Sequence, residues 1–450
     1  MNIHMKTKRN VVILTLIAVT LVVRAQPADT LHFSVEEAVQ YALQNNLNAE
    51  NSRLDIESAK KRVWETAASG LPRVDASVNY NYNISLATTL IPDFFNDPSQ
   101  KIEIQFGTKH FATAGVTASQ LIFSGQYIVG LQTAKIFKEF TETSNEKTEQ
   151  QIRETITQNY YLVLLGESTL VTLRENAENF RKTFEETREQ FRVGFVEEID
   201  VDQLELTLTD LENSVLAMER QVVASRNLLK YQMGMDRTVP IGLTNSLEEL
   251  VADIEFEQLL TEEFNLQDNI DYRILKQQET LAMMDMKLKK TDYLPTLSGF
   301  FSTDFTAQRD ELNLFSADES WYQASVVGLS LSIPIFSSGL RSAGVAQKRI
   351  AYEQAMNSRK FAAEGLKVEF QQAQYDFANA LEQYRKEQKN LELSRKLIRV
   401  TESKYEEGLV SSLELTQVND QYLRTLSNYT SAMVELLNAK ISINLLVNNF

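Results

Sequence analysis

The acidic side chains are the groups in this sequence best placed to act. Asp200 and Glu414 each stand six residues after a glycine, Gly194 and Gly408, and each glycine interrupts a helical pattern. The acid pairs Glu197-Glu198 and Glu406-Glu407 lie beside the same two points. A carboxylate in the first turn of a helix is favoured by the helix dipole. A glycine ahead of it supplies the left-handed residue that ends the previous helix. The acids therefore read as a solvated rim around two helix turns or, more sharply, as a surface that attracts a partner.

The residue patterns of enzymes are missing. There is no glycine-rich phosphate loop ending in Lys and Ser or Thr, no His-Glu-x-x-His and no Gly-x-Ser-x-Gly. The three histidines, His4, His32 and His110, share no ligand spacing. Cysteine is absent, which excludes disulfides, thiolate metal sites, a cysteine nucleophile and lipidation on an N-terminal cysteine. No metal and no cofactor is implied. A net charge of −16 with no basic stripe argues against nucleic acid as a partner.

Long helices must carry the two turns. Only 15 glycines and 7 prolines occur in 450 residues, with no proline between Ser99 and Val239 or after Ile335. Helical runs are expected over Gly125 to Gln190 and Leu340 to Tyr405, each ~99 Å long at 1.5 Å per residue. Helices of that length that double back pack as coiled-coil hairpins. Ile152, Ile156, Tyr160, Val163 and Leu164 fit a narrow seam, as do Phe361, Leu366, Phe370, Phe377 and Leu381.

The N-terminus carries Lys6, Lys8 and Arg9, then an apolar run from Val11 to Val23, then Arg24, Ala25 and Gln26. Residues 1–25 therefore read as a secretory signal cleaved after Ala25. Thirteen apolar residues would span only ~20 Å as helix, short of a ~30 Å hydrocarbon layer. No later segment is long and apolar enough to be a membrane helix.

The chain repeats itself. Leu71-Pro72 recurs as Leu294-Pro295, and Ile122-Phe123-Ser124-Gly125 recurs as Ile335-Phe336-Ser337-Ser338-Gly339. Gly194 recurs as Gly408, and Asn46-Leu47 as Asn269-Ile270. The offsets of 223, 213 and 214 residues agree closely enough to mean duplication of one unit. The units divide as 26–240 and 241–450. Each holds a helix (Val35 to Ser69; Asn269 to Tyr293), a strand, a polar loop (Pro92 to Gly107; Gln308 to Ser320), a second strand and a helical hairpin, 125–235 or 340–448.

Four strands are expected: 73–86, 108–123, 297–306 and 322–335. The first alternates without a break, with Val74, Ala76, Val78, Tyr80, Tyr82, Ile84 and Leu86 on one side and Arg73, Asp75, Ser77, Asn79, Asn81, Asn83 and Ser85 on the other. In the fourth, the adjacent Val326 and Val327 break phase and suggest a bulge. A soluble sheet is one reading. A membrane β-barrel is the other, with Tyr80, Tyr82, Phe301, Phe305, Trp321 and Tyr322 as interface aromatics. A barrel needs about eight strands to close, and open edges cannot face lipid. Four strands per chain must then close between chains, in two copies or three.

At this point the sequence resembles a TolC-type outer-membrane efflux protein, from about Leu31 to Phe450. The resemblance rests on the duplication, the Leu-Pro pairs before strands, the Ile-Phe-Ser segments after them, and the paired turns. It implies a mainly helical fold with membrane β: a homotrimer whose twelve-stranded β-barrel continues as a twelve-helix α-barrel. It implies an outer-membrane channel with a large periplasmic extension, serving a tripartite efflux or type I secretion system. Its partners would be a periplasmic adaptor at the helical tips, an inner-membrane pump reached through the adaptor, and outer-membrane lipid. By resemblance, Val193, Gly194, Phe195 and Val196 at one tip and Gly408, Leu409 and Val410 at the other contact the adaptor. Asp200 and Tyr405 match two positions of the family's periplasmic gate, while its arginine position is Val410. Glu414 matches the first of two aspartate rings, and Gln417 stands at the second. One acidic ring would still favour cations in a narrow pore.

An exported periplasmic coiled-coil scaffold without a pore is the alternative. It accounts for the export signal and the long helices but not for four alternating strands.

Overall fold

The structure, a computed structural model, describes residues 30–94, 97–316 and 318–448. The expected signal, residues 1–25, lies outside the described residues. In chain order the first half comprises β1 (Leu31–Phe33), α1 (Val35–Asn45), α2 (Leu47–Ala68), β2 (Arg73–Tyr82), β3 (Thr88–Pro92), β4 (Lys101–Gln105), β5 (His110–Ser124), α3 (Gly125–Arg192) and α4 (Glu198–Gln232). The second half comprises β6 (Ile241–Leu243), α5 (Leu247–Ala252), α6 (Phe256–Thr261), α7 (Ile270–Lys290), a 3-10 turn (Thr291–Tyr293), β7 (Thr296–Arg309), β8 (Tyr322–Ser332), α8 (Leu340–Glu406) and α9 (Ser412–Val447). No helix among the described residues is long and apolar enough to cross a membrane.

The expected first helix, Val35 to Ser69, is two helices. Asn46 sits between them with an extended backbone, and its Oδ1 accepts from Asn48 N–H at 2.7 Å. That is an N-cap, which starts a new helix rather than continuing the old one. Asn269 does the same for α7, accepting from Tyr272 N–H at 3.1 Å. The two asparagines also tie the ends of the hairpins. Asn46 Nδ2 donates to Gln232 O at 2.6 Å, and Asn269 Nδ2 donates to Leu446 O at 3.0 Å.

The long helices form two antiparallel pairs, α3 with α4 and α8 with α9. At 68 residues, α3 reaches ~102 Å. The seam residues on α3 are buried, and so are Leu366, Phe370, Phe377 and Leu381 on α8. Phe361 is not: it is 84% exposed. Phe361 lies five residues before Leu366, about 140° round the helix, so its side chain points away from that stripe.

The main core lies midway along the helices, where α1, α5, α6 and the β1–β6 pair pack against the long helices. Tyr160 on α3 is fully buried there. Its hydroxyl donates to Phe33 O at 2.8 Å and lies 3.1 Å from Asn245 Oδ1, fastening this collar to the hairpin. Among the described residues a second, smaller cluster lies toward the turns, around Phe180, Leu204, Leu208 and Leu415.

The main sheet has the order β2-β5-β7-β8, antiparallel throughout. The first strand ends at Tyr82 rather than Leu86; Asn83 N–H still donates to Lys109 O at 2.8 Å and its Nδ2 to Thr108 O at 2.9 Å, and the ladder stops there. The loop from Pro92 to Gly107 is not irregular: β3 and β4 pair there as a separate hairpin. The expected bulge at Val326-Val327 is absent, since β7 and β8 pair in unbroken register from Thr296↔Ser332 to Thr306↔Tyr322. Val326 is simply an apolar residue on the polar face. The register instead shifts in β5 between Leu121 and Phe123. The 3-residue strands β1 and β6 carry no alternation by which sequence could reveal them.

Candidate functional site

Two regions carry the features of function, the sheet and the helical turns. In antiparallel sheets directly paired residues share a face, so the register sorts every side chain. Val74, Val78 and Tyr80 of β2 share a face with Ala118, Ala114 and Ala112 of β5, and through them with Phe301, Phe305 and Ala307 of β7. Val327, Leu329 and Leu331 of β8 complete it. The opposite face holds Asp75, Asn79, Thr117, Thr113, Ser302, Asp304 and Thr306. Gly115 lies beside Asp304 on that face, and a Cβ there would meet Asp304 Oδ1 at 2.1 Å, so the Asp304 side chain would have to move. The apolar face is bare: Val78 is 78% exposed and Val327 81%. Of the expected interface aromatics, Tyr80, Tyr82, Phe301 and Phe305 lie on the apolar face. Tyr322 pairs with Thr306 on the polar face, and Trp321 donates its indole N–H to Leu314 O at 3.1 Å within a loop.

At the turns, the two hairpins end alike. Gly194 has φ +84° and Gly408 φ +73°, and a Cβ at either would meet nothing within 4 Å. Phe195 N–H donates to Gln190 O at 2.9 Å and Gly194 N–H to Phe191 O at 2.9 Å. Leu409 N–H donates to Lys404 O at 2.8 Å and Gly408 N–H to Tyr405 O at 2.9 Å. These paired bonds are the Schellman closure that a left-handed glycine permits. Val193, Phe195 and Leu409 are largely exposed around them, while Val196 and Val410 are half-buried.

The four predicted gate residues do not form one cluster. Asp200, in the first turn of α4, accepts from Ser412 Oγ of the other hairpin at 2.7 Å. Thr187 gives its hydroxyl proton to Thr183 O at 2.8 Å, which leaves Tyr405 to donate to Thr187 Oγ1 at 2.9 Å. Burial raises the Tyr405 phenol above its ordinary value; the Thr187 hydrogen bond opposes this and the charge of Asp200 adds to it. Glu414 and Gln417 are exposed, and neither side chain bonds to another described residue.

The partners of these residues are not among those expected from sequence. Ser412 and Thr187 join the tips, Thr207 Oγ1 lies 3.3 Å from Thr416 Oγ1, and Asn176 Nδ2 donates to Asn419 Oδ1 at 2.6 Å between α3 and α9. Polar residues inside a coiled-coil pattern were the available signal. Among the described residues no group of three or more His, Asp or Glu is placed to hold a metal.

Comparison with known proteins decides the family. The profile of the family described as outer membrane efflux protein matches residues 38–235 and 265–449. The chain belongs to that family. The efflux protein accordingly resides in the outer membrane, and the members of its family are channels. Solved structures share its fold. CmeC, the outer membrane channel of Campylobacter jejuni, is 17% identical with a TM-score of 0.72, covering 92% of this chain and 85% of its own. MtrE, from Neisseria gonorrhoeae, is 16% identical with a TM-score of 0.71, covering 92% and 88%. CusC is 15% identical with a TM-score of 0.72, covering 92% and 91%. No curated protein sequence matches the efflux protein.

Proposed function

We propose that three copies of this efflux protein form one exit duct. Their sheets close as a twelve-stranded barrel in the outer membrane, and their helices continue it as a periplasmic tube. The observation that carries this is the sheet. It has one bare apolar face, one polar face, and two unpaired edges, β2 and β8. Unpaired backbone in lipid costs several kcal/mol per group, and β8 runs antiparallel to β2, so the edge of one copy can pair with the edge of the next. Eight strands fill their interior with side chains; twelve leave a lumen. The helices at the two sides of the protomer fit the same closure. Trp64 on α2 and Phe361 on α8 are 65% and 84% exposed, and a neighbouring copy would cover them.

Solutes then enter at the helical tips. Val193, Gly194, Phe195 and Val196, with Gly408, Leu409 and Val410, form the surface for a periplasmic adaptor, which links the duct to an inner-membrane pump. Residues 185–202 and 402–420 hold 12 acids and 3 lysines or arginines, so the tips favour a basic adaptor surface. Asp200 and Tyr405 hold the tips together, and Glu414 and Gln417 face the narrowed entrance. The duct performs no chemistry of its own, and the pump supplies the energy.

Detergent extraction of the outer-membrane fraction followed by negative-stain electron microscopy tests this. Hollow three-fold particles with a tube of ~100 Å are expected. Compact monomers released by salt or carbonate without detergent would overturn it.

A further inference from the structure

The chain is acidic overall, with 61 acids against 45 lysines and arginines, yet its charge is not evenly spread. The helix ends that meet the sheet are basic. Residues 60–73, 125–138, 285–293 and 340–349 together hold 12 lysines and arginines and only 3 acids. No single stretch reveals this, because the four segments are far apart in sequence. The fold gathers them: α2 and α7 end at the sheet, and α3 and α8 begin there. At 1.5 Å per residue these positions lie within ~20 Å of the strand ends.

Half of this charge is held in ion pairs. Lys60 pairs with Glu57 at 3.7 Å, Arg73 with Asp75 at 2.8 Å and Lys138 with Glu142 at 2.9 Å, and Lys289 pairs with Asp292 at 2.7 Å, Lys348 with Asp285 at 2.8 Å and Arg349 with Glu353 at 3.1 Å. The other half has no carboxylate partner among the described residues. Lys61, Lys135, Lys287 and Lys290 are exposed and have no acidic partner among the described residues. Arg341 is buried, yet it too lacks a carboxylate. Its guanidinium donates to Pro334 O at 2.7 Å and to Ser337 Oγ at 3.0 Å, and lies over the Tyr293 ring. Apolar side chains adjoin this ring of charge on the sheet side, with Leu71, Leu294, Ile335 and Phe336 all exposed.

A solvated face of an acidic protein needs no such excess of cations. An apolar band bordered by unpaired lysines is the pattern that matches a lipid leaflet, whose tails end at a layer of phosphates. We propose that this collar binds the headgroups of anionic phospholipids in the periplasmic leaflet of the outer membrane. The proposal rests on the reading that the sheet spans that membrane. The lysines act as point charges with water-exposed heads, so binding would be selective for net charge and sensitive to salt.

The test uses the full-length protein, purified in detergent and reconstituted into vesicles. One set is phosphatidylcholine alone, the other contains about one-fifth phosphatidylglycerol, a composition in the range where surface charge attracts basic groups. Insertion is followed by flotation, and lipid retention by native mass spectrometry. The comparison variant carries Lys61→Gln, Lys135→Gln, Lys287→Gln and Lys290→Gln, all exposed helical sites where glutamine keeps the helix. We expect the parent to insert in both and to retain phosphatidylglycerol several-fold over phosphatidylcholine. That preference should collapse in 0.5 M salt and in the variant, while insertion is unchanged. Insertion without lipid preference, or a preference that the variant keeps, overturns the collar alone. Failure to insert into either vesicle overturns the membrane-spanning sheet, and the collar with it.

Discussion

The Ser412 hydroxyl donates to Asp200 Oδ1 at 2.7 Å, joining the turn of one hairpin to the turn of the other. The bond links equivalent regions of the two repeats, since Asp200 is the counterpart of Glu414, two residues beyond Ser412. It couples two elements that also meet through Thr207 and Thr416 and through the apolar cluster of Leu204, Leu208 and Leu415. An entrance held by such bonds opens when they are removed.

Ser412→Ala should therefore raise single-channel conductance in planar bilayers. A hydrogen bond to a charged group is worth ~1.5–3 kcal/mol when buried. Asp200 is partly exposed, so a cost of about 1 kcal/mol is expected. Asp200→Ala should act in the same way, and the double variant should add little to either. Strictly additive conductance changes would show that the two residues do not act through their shared bond.

The turn glycines separate two reasons for glycine. Gly194→Ala and Gly408→Ala meet open space and should each cost about 1–2 kcal/mol, the price of a left-handed backbone. Gly234 also has a positive φ, but a Cβ there would meet Asn45 O at 2.3 Å. Gly234→Ala should cost clearly more and should lower yield of folded protein, where the tip variants lower only protection of the tip amides. Hydrogen exchange and thermal melting distinguish the two patterns.

Val78 and Asn79 are neighbours on β2 with opposite surroundings. Val78→Lys places a charge on the apolar face and should cost ~2–4 kcal/mol of membrane stability if near the bilayer centre. Asn79→Lys places the same charge on the polar face and should leave assembly intact. Detergent-resistant oligomer on gels reads the difference, and equal losses would mean that the register does not sort lipid from lumen.

Glu402, four residues before Glu406, gives the tip a pH dependence. Burial first, and then Glu406, raise its carboxyl above the ordinary value, against the pull of Arg399. A raised folded value means the folded state holds this proton more tightly than the unfolded state. The contribution is fully present below the unfolded carboxylate range and is lost as pH rises through the folded value. The tip should therefore be more protected from hydrogen exchange near pH 4 than near pH 7. Glu402→Gln should flatten that difference and stabilise the tip at pH 7.

The paired turns and caps were legible in the sequence because they are written in glycine and asparagine, residues with local jobs. Gly194 and Gly408 end helices, and Asn46 and Asn269 begin them. Even the far ends correspond: Gly234 and Asn448, 214 residues apart, both adopt positive φ after their helices. The alternation of β2 was equally legible, since period two survives wherever each face meets a different medium. What could not be read was contact at a distance. The break at Asn46 depends on a cap competing with helix continuation, and the bulge at Leu121 depends on how β7 lies alongside. Ser412 and Thr187 look like any other small polar residues until the fold sets them against Asp200 and Tyr405.

The two unpaired edges of the sheet have a consequence for the life of a newly made chain. A lone copy offers β2 and β8 to any passing strand, including those of its own kind in the wrong order. If copies close as proposed, folding would depend on mass action: dilution would favour the incomplete state and a high concentration of like chains the closed one. In the proposed closed ring every edge is paired, so the completed channel would be the first species in the pathway that cannot polymerise edge to edge.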